Sequence, residues 1–492
     1  MKKIGSGSSE KTTGPKSAIF PILILFLLTT VPLYVYDSSR FPFLYKPFYR
    51  NITGNYSSTL HDHQLQAFET KTTTTTINGS SNASDHVQEI PLSPSPPINV
   101  STIPLNSTPS SFQSPKLQAL ESNISNSSPA ANKTEPPTSL SSDEIKRCNI
   151  FKGDWVFSDS KEPYYTNETK CVIDDRQNCM KFGRPDTDFL KWRWKPYGCD
   201  LPLFDARRFL EIVKGKTLAF LGDSVGRNQM QSLVCLLSSA AQPVDVSYTS
   251  DTRYQRWLYK DYNFTIAAFW SPVLVNSSEA STQQNKYLMN LYLDQPDESW
   301  SSQVEKVDIL IVSGGQWFFR PFVYYNRRKI VGCHLCNDKK IKEREVYHGY
   351  RMAFRTTLRT LVRLKNYKGL TFLRTFSPAH FENGEWNTGG DCRRRLPFTK
   401  KEKKVDWMNL DMYKIQLREF RDAERKGRKR GLKFRMLDTT EAMILRGDGH
   451  PSNYGHWPTQ NKTVADCVHW CMPGPVDSWN EFLFQMLKME EI

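Results

Sequence analysis

The chain has 492 residues, 38% of them hydrophobic, with 66 Lys and Arg against 51 Asp and Glu, for a formal net charge of +15. That length allows three domains, but composition excludes most of the N-terminal third from any packed core. Only the stretch from Cys148 onward has the aromatic and aliphatic density of a globular unit, enough for one large α/β domain.

Residues 1–17 are polar and basic, with Lys2, Lys3, Lys11 and Lys16 against Glu10. Residues 18–36 carry no charge. As a helix they would span about 28 Å, close to the hydrocarbon thickness of a bilayer. Pro21 and Pro32 lie near the ends of this run, where a missing backbone bond is easier to satisfy. Lysines before the run and Asp37 after it predict a signal anchor with the N-terminus cytoplasmic and the rest across the membrane. A cleaved signal peptide is the competing reading, but the apolar run is long for one and no small-x-small site follows closely. Residues 37–145 are rich in Ser, Thr, Asn and Pro and hold nine of the chain's thirteen N-x-S/T sequons. That composition predicts a disordered, glycosylated stalk.

All ten cysteines lie beyond the apolar run and outside the stalk, as expected of disulfides in an oxidising lumen. Zinc is the competing reading of Cys333-His334-Leu335-Cys336, but Cys467 and Cys471 have the wrong spacing for a second ligand pair. Basic clusters at 327–329, 393–395, 400–404 and 425–433 read as solvated helix faces and loops. A lumenal domain meets no nucleic acid, and no metal is implied.

Within 146–492, residues 216–221 form an apolar run of strand length, followed by Gly222-Asp223-Ser224 and a helical pattern over 225–237. A serine between strand and helix faces backbone N–H groups and the helix dipole, which suits an oxyanion intermediate. Later apolar runs end in Ser313-Gly314-Gly315, in the loop 377–380 ending at His380, and in Asp438. Strands ending in polar loops predict a doubly wound α/β sheet with its site at the carboxyl edge. Gly222-Asp223-Ser224-Val225-Gly226 also satisfies G-x-S-x-G. Near the C-terminus, Asp466-Cys467-Val468-His469 spaces an acid and a histidine three apart, on one face of a turn. Asp466 can therefore orient His469 toward Ser224, with Cys467 and Cys471 stapling the turn. Arg227 and Asn228 are further candidates for oxyanion or substrate contacts.

The block 222–229 and the block Asp466-Cys467-Val468-His469-Trp470-Cys471-Met472-Pro473-Gly474 resemble the signature blocks of the plant trichome birefringence-like family. Stretches 148–155, 178–186, 192–194 and 448–451 extend the resemblance over the whole domain. The resemblance implies an SGNH/GDSL-esterase-like fold and a single-pass type II Golgi protein that O-acetylates cell-wall polysaccharide. It maps the triad to Ser224, Asp466 and His469 and suggests an oxyanion donor at Gly314 or Gly315. It also implies disulfides Cys148–Cys199 and Cys171–Cys235; spacing does not pair the other six cysteines. Segments 313–321 and 332–336 look like the branch acetylating xyloglucan galactose, with mannan or xylan acetylation, or esterase chemistry on the same triad, as alternatives. Many family members have His where Gln316 stands. The acetyl donor, acetyl-CoA or an acetylated intermediate, is required as a substrate, and no bound cofactor is expected. Asp448, Gly449 and His450 form a second acid–histidine set, read as a structural loop supporting His469.

Overall fold

The computed structural model describes residues 148–166, 168–285, 287–386, 388–456 and 464–490. The cytoplasmic tail, anchor and stalk expected over 1–145 lie outside them. Among the described residues, no helix is long and apolar enough to cross a membrane.

Strands β1 (Gly153–Phe157) and β2 (Trp192–Pro196) pair antiparallel ahead of the main domain. There follow β3 (Thr217–Gly222), β4 (Val244–Asp245), β5 (Arg256–Tyr259), β6 (Phe264–Trp270), β7 (Val275–Glu279), β8 (Met289–Pro296), β9 (Ile309–Val312), β10 (Phe322–Asn326), β11 (Lys329–His334), β12 (Leu370–Arg374) and β13 (Phe434–Leu437). The longer helices are α1 (Ala206–Ile212), α2 (Ser224–Leu237), α3 (Val346–Arg363), α4 (Trp407–Arg428) and α5 (Asp477–Met489).

The main sheet has seven strands in the order β13-β12-β9-β3-β6-β5-β4. Its first five strands run parallel. Taken in chain order, those five make the 2-1-3-4-5 arrangement, whose switch point lies between the first and third strands, here β3 and β9. The expected parallel sheet is therefore present, with an addition: β5 and β4 extend it antiparallel. A second sheet, β11-β10-β8-β7, stands apart from it. Strands β4 to β8, β10 and β11 escaped the sequence reading; polar residues interrupt or bound most of them, but β6 is an apolar run broken only by Thr265 and was not singled out.

Helices cover both faces, and the side-chain alternation of the strands shows how. Leu218 and Phe220 of β3, Ile309 and Ile311 of β9, and Phe372 of β12 join one core with residues of α1, α2 and α5. Ala219, Leu221, Leu310, Val312 and Leu373 point the other way, into a core with α3 and α4. A strand buried on both faces reads as an unbroken apolar run, which is why the run 216–221 was legible. On α4, Arg425 and Lys426 pair with Asp422, and Arg428 pairs with Glu424.

Five disulfides join the described cysteines. Cys148–Cys199 and Cys171–Cys235 are present. The remaining six pair as Cys179–Cys471, Cys392–Cys467 and Cys333–Cys336. Cys333 and Cys336 lie near Glu343, but their sulfurs are bonded to each other, so no thiolate is available to a metal there.

Candidate active site

Ser224 is the first residue of α2, directly beyond the carboxyl end of β3. Asp223 precedes it as the helix cap. One carboxylate oxygen accepts the Val225 and Gly226 N–H groups, at 3.0 and 3.3 Å. The other accepts the Gly315 N–H at 3.1 Å. Asp223 thus fastens the loop beyond β9 to the turn that carries Ser224. The two segments meet so closely that a Cβ on Gly222 would lie 2.3 Å from the Ser313 carbonyl oxygen, and one on Gly226 would lie 2.8 Å from Ser313 Oγ. Only glycine admits that approach. Below the turn, the buried Arg374 donates to the Val225 carbonyl at 3.1 Å, with Trp479 over its guanidinium. Burial lowers the Arg374 pKa to about 10 while Asp223 works in the opposite direction, so the group stays charged at neutral pH.

The acid and histidine come from the irregular segment 464–476, directly ahead of α5. Asp466 Oδ2 lies 2.7 Å from His469 Nδ1. Asp466 Oδ1 accepts the N–H groups of Val468 and His469 at 3.1 and 3.0 Å. Partial burial pushes the Asp466 carboxyl up, but His469 and these backbone donors more than offset it, holding it well below the usual carboxylate range. Asp466 also exchanges both backbone hydrogen bonds with Ser452. His469 itself is 3% exposed, as is Ser224.

Asn228 docks the two halves. It sits one helical turn beyond Ser224, on the same face of α2. Its side chain accepts the Trp470 N–H at 2.8 Å and donates to the Trp470 carbonyl at 3.3 Å and to Gln177 Oε1 at 3.2 Å. The residue after His469 is thereby bound to the helix that Ser224 begins.

This geometry corrects three expectations about the oxyanion site. The Asn228 amide, expected as a donor, is occupied as the clamp. The Gly315 N–H is occupied by Asp223. So are the Val225 and Gly226 N–H groups, which the strand–turn–helix pattern offered to an oxyanion. Among the described residues, the N–H groups of Ser224 and Gly314 donate to no protein acceptor. Arg227 has its guanidinium 5.6 Å from the Trp270 ring centre, and its Nε is without a hydrogen-bond partner. Burial, and then Arg176, lower its pKa to about 10.

Several supports of this site escaped sequence reasoning. Arg184 donates to the carbonyls of Asp448 and His450, at 2.6 and 3.1 Å. Asp448 is held in a buried pair with Arg446 at 2.8 Å, and not with His450. His450 Nδ1 lies 2.6 Å from the His469 carbonyl oxygen. Cys467 and Cys471, on either side of His469, are tied to different segments, at Cys392 and Cys179. The apolar patterning of 370–376 flagged the loop holding His380, but nothing in the sequence paired it with residue 450.

Comparison with known proteins matches residues 201–486 to the GDSL/SGNH-like acyl-esterase family found in Pmr5 and Cas1p. Residues 146–200 match the PMR5 N-terminal domain. The chain is 53% identical over 349 residues to protein trichome birefringence-like 19 of Arabidopsis thaliana, covering 70% of this chain and 82% of that protein. It is 42% identical over 348 residues to xyloglucan O-acetyltransferase 4 of Populus trichocarpa, covering 70% and 82%. With xyloglucan O-acetyltransferase 1 of Arabidopsis thaliana the identity is 38% over 402 residues, covering 80% and 93%.

Proposed function

This chain belongs to the GDSL/SGNH-like acyl-esterase family and, within it, to the trichome birefringence-like proteins, and on that premise we propose that it is a polysaccharide O-acetyltransferase acting on galactosyl side chains of xyloglucan through an acetyl-Ser224 intermediate. The observation that carries the chemistry is the 2.7 Å Asp466–His469 contact on a loop clamped through Asn228 to the helix that Ser224 begins. The relatives named as xyloglucan O-acetyltransferases support the acceptor.

His469 takes the Ser224 proton as the hydroxyl attacks the acetyl carbonyl of the donor. Asp466 holds the ring in the required tautomer. The Ser224 and Gly314 N–H groups are the oxyanion donors left available by the packing. His469 returns the proton to the leaving group, which is the thiolate if the donor is acetyl-CoA. A sugar hydroxyl then gives its proton to His469 and attacks the acyl carbon, and His469 passes that proton to the departing Ser224 oxygen, which completes a two-step transfer. The uncharged run 18–36 anchors the protein in the Golgi membrane, with this domain lumenal.

The test is incubation of the purified full-length protein with acetyl-CoA and xyloglucan, mannan and xylan oligosaccharides, followed by NMR of the products. Acetyl esters on xyloglucan galactose are expected. Transfer to mannan or xylan alone would contradict the acceptor, and release of free acetate with every acceptor would make the protein an esterase.

A further inference from the structure

Behind the loop that carries His469, two histidines meet nitrogen to nitrogen. His380 Nδ1 lies 2.7 Å from His450 Nε2. The outer nitrogens both end on carbonyl oxygens: His380 Nε2 on Ile444 at 2.9 Å, and His450 Nδ1 on His469 at 2.6 Å. A carbonyl oxygen only accepts, so each outer contact needs an N–H, and the nitrogen–nitrogen contact needs one proton between the rings. The three contacts therefore require three ring protons, whereas two neutral imidazoles carry two. With two, one of the contacts sets lone pair against lone pair.

We propose that His380 and His450 share one extra proton, as a buried positively charged pair that fixes the His469 carbonyl, and that this pair is a pH-sensitive positioning element for the proposed acyl-transfer site. The surroundings suit a delocalised cation. Trp470 stacks on His450 with ring centres 4.1 Å apart, and Phe398 lies parallel to His380 at 6.0 Å. The charged and titratable groups facing the pair divide. Asp406 favours charge on His380, while Lys403 and Arg394 oppose it. Asp466 favours charge on His450, while His380 and then His469 oppose it. Arg184, on the His450 carbonyl, adds a further cation nearby. Burial is the largest influence and pulls both rings below the ordinary histidine value. The proton is thus held by geometry against desolvation and is lost as pH rises, rather than being retained throughout the physiological range. Its loss opens one of the three contacts and loosens the loop 464–471 at its carbonyl anchor.

The inference rests on Ser224 and His469 being the reacting pair for its effect on rate, but not for the proton count. Full-length protein labelled with nitrogen-15 in its histidine rings is titrated by NMR, with signals assigned through His380→Gln and His450→Gln. The two rings are expected to titrate as one coupled step, with three ring N–H protons on the acid side. The same step is expected in Ser224→Ala, whatever becomes of the acyl-enzyme reading. Two neutral rings at every pH where the protein is folded would overturn the inference. In kinetics, wild-type kcat should fall about ten- to a hundredfold as the pair loses its proton, the scale of a small misplacement of a catalytic group, and His380→Gln should lack that limb. An unchanged limb in a folded His380→Gln would overturn the positioning role. If that variant does not fold, the wild-type and Ser224→Ala titrations decide alone.

Discussion

The two halves of the site are held in place by different physics. The Ser224 half is an extension of the sheet: β3 leads into a turn packed against the β9 loop, Asp223 caps α2, and apolar side chains fix both elements. In the other half, the described residues 448–456 and 464–471 have almost no regular structure. Two disulfides, the Arg184 and Arg446 contacts and a pair of histidines hold it. Burial of apolar surface is non-directional and positions a strand end robustly. A loop that must present an imidazole has no such scaffold and depends on directional contacts, each of which fails when one partner is removed.

The largest expected effect separates chemistry from scaffold on the first half. Ser224→Ala should lower kcat by about 10⁴–10⁶ without lowering the melting temperature, and adding His469→Ala should lower it little further because the two act as a unit. A kcat within tenfold of wild type would remove Ser224 from the mechanism. On the second half, chemistry and stability should fail together. Cys392→Ser with Cys467→Ser should cost about 2–5 kcal/mol in denaturant unfolding and reduce kcat as well. Full activity in that variant would mean the loop needs no staple.

This asymmetry also explains what was legible in the sequence. The run 216–221, the helical pattern over 225–237 and the 466–469 spacing each carry their signal locally, as periodicity or short-range pattern. Three more of the five parallel strands followed from the same signal in 307–312, 370–376 and 434–437, whereas β6 did not. The supports of the second half do not work that way. Arg184, His380, Cys179 and Cys392 lie between 70 and 300 residues from their partners, and no local pattern encodes a contact at that distance. The oxyanion donors were misread for a related reason. The sequence shows that Asp223, Gly315 and Asn228 are near the nucleophile, but not which hydrogen bonds they have already made.

A smaller effect lies where α2 meets α5. Asp477 is buried, accepting from Ser232 and Tyr165 at 2.6 and 2.7 Å, and burial raises its pKa to about 6. An unfolded Asp titrates near 3.9. Between those values the folded protein holds a proton that the unfolded chain has lost, so this contribution is complete below about pH 4 and falls by about 3 kcal/mol as pH rises past 6. Urea unfolding across that window should show the slope, and Asp477→Asn should flatten it. An identical slope in the variant would assign it to other groups. The smallest effect belongs to the close approach at the Ser224 turn. Gly226→Ala places a Cβ 2.8 Å from Ser313 Oγ and should cost about 1–3 kcal/mol by overpacking, measured by thermal unfolding. No change would show that the β9 loop yields where the account has it fixed.

The most direct test of the central claim is mass spectrometry of the full-length protein after exposure to acetyl-CoA without acceptor. The account predicts an acetyl mass on the peptide containing Ser224, absent in Ser224→Ala and lost when xyloglucan oligosaccharide is added. An active enzyme that never carries that mass, with initial-rate lines that intersect rather than run parallel, would contradict it and require direct transfer in a ternary complex.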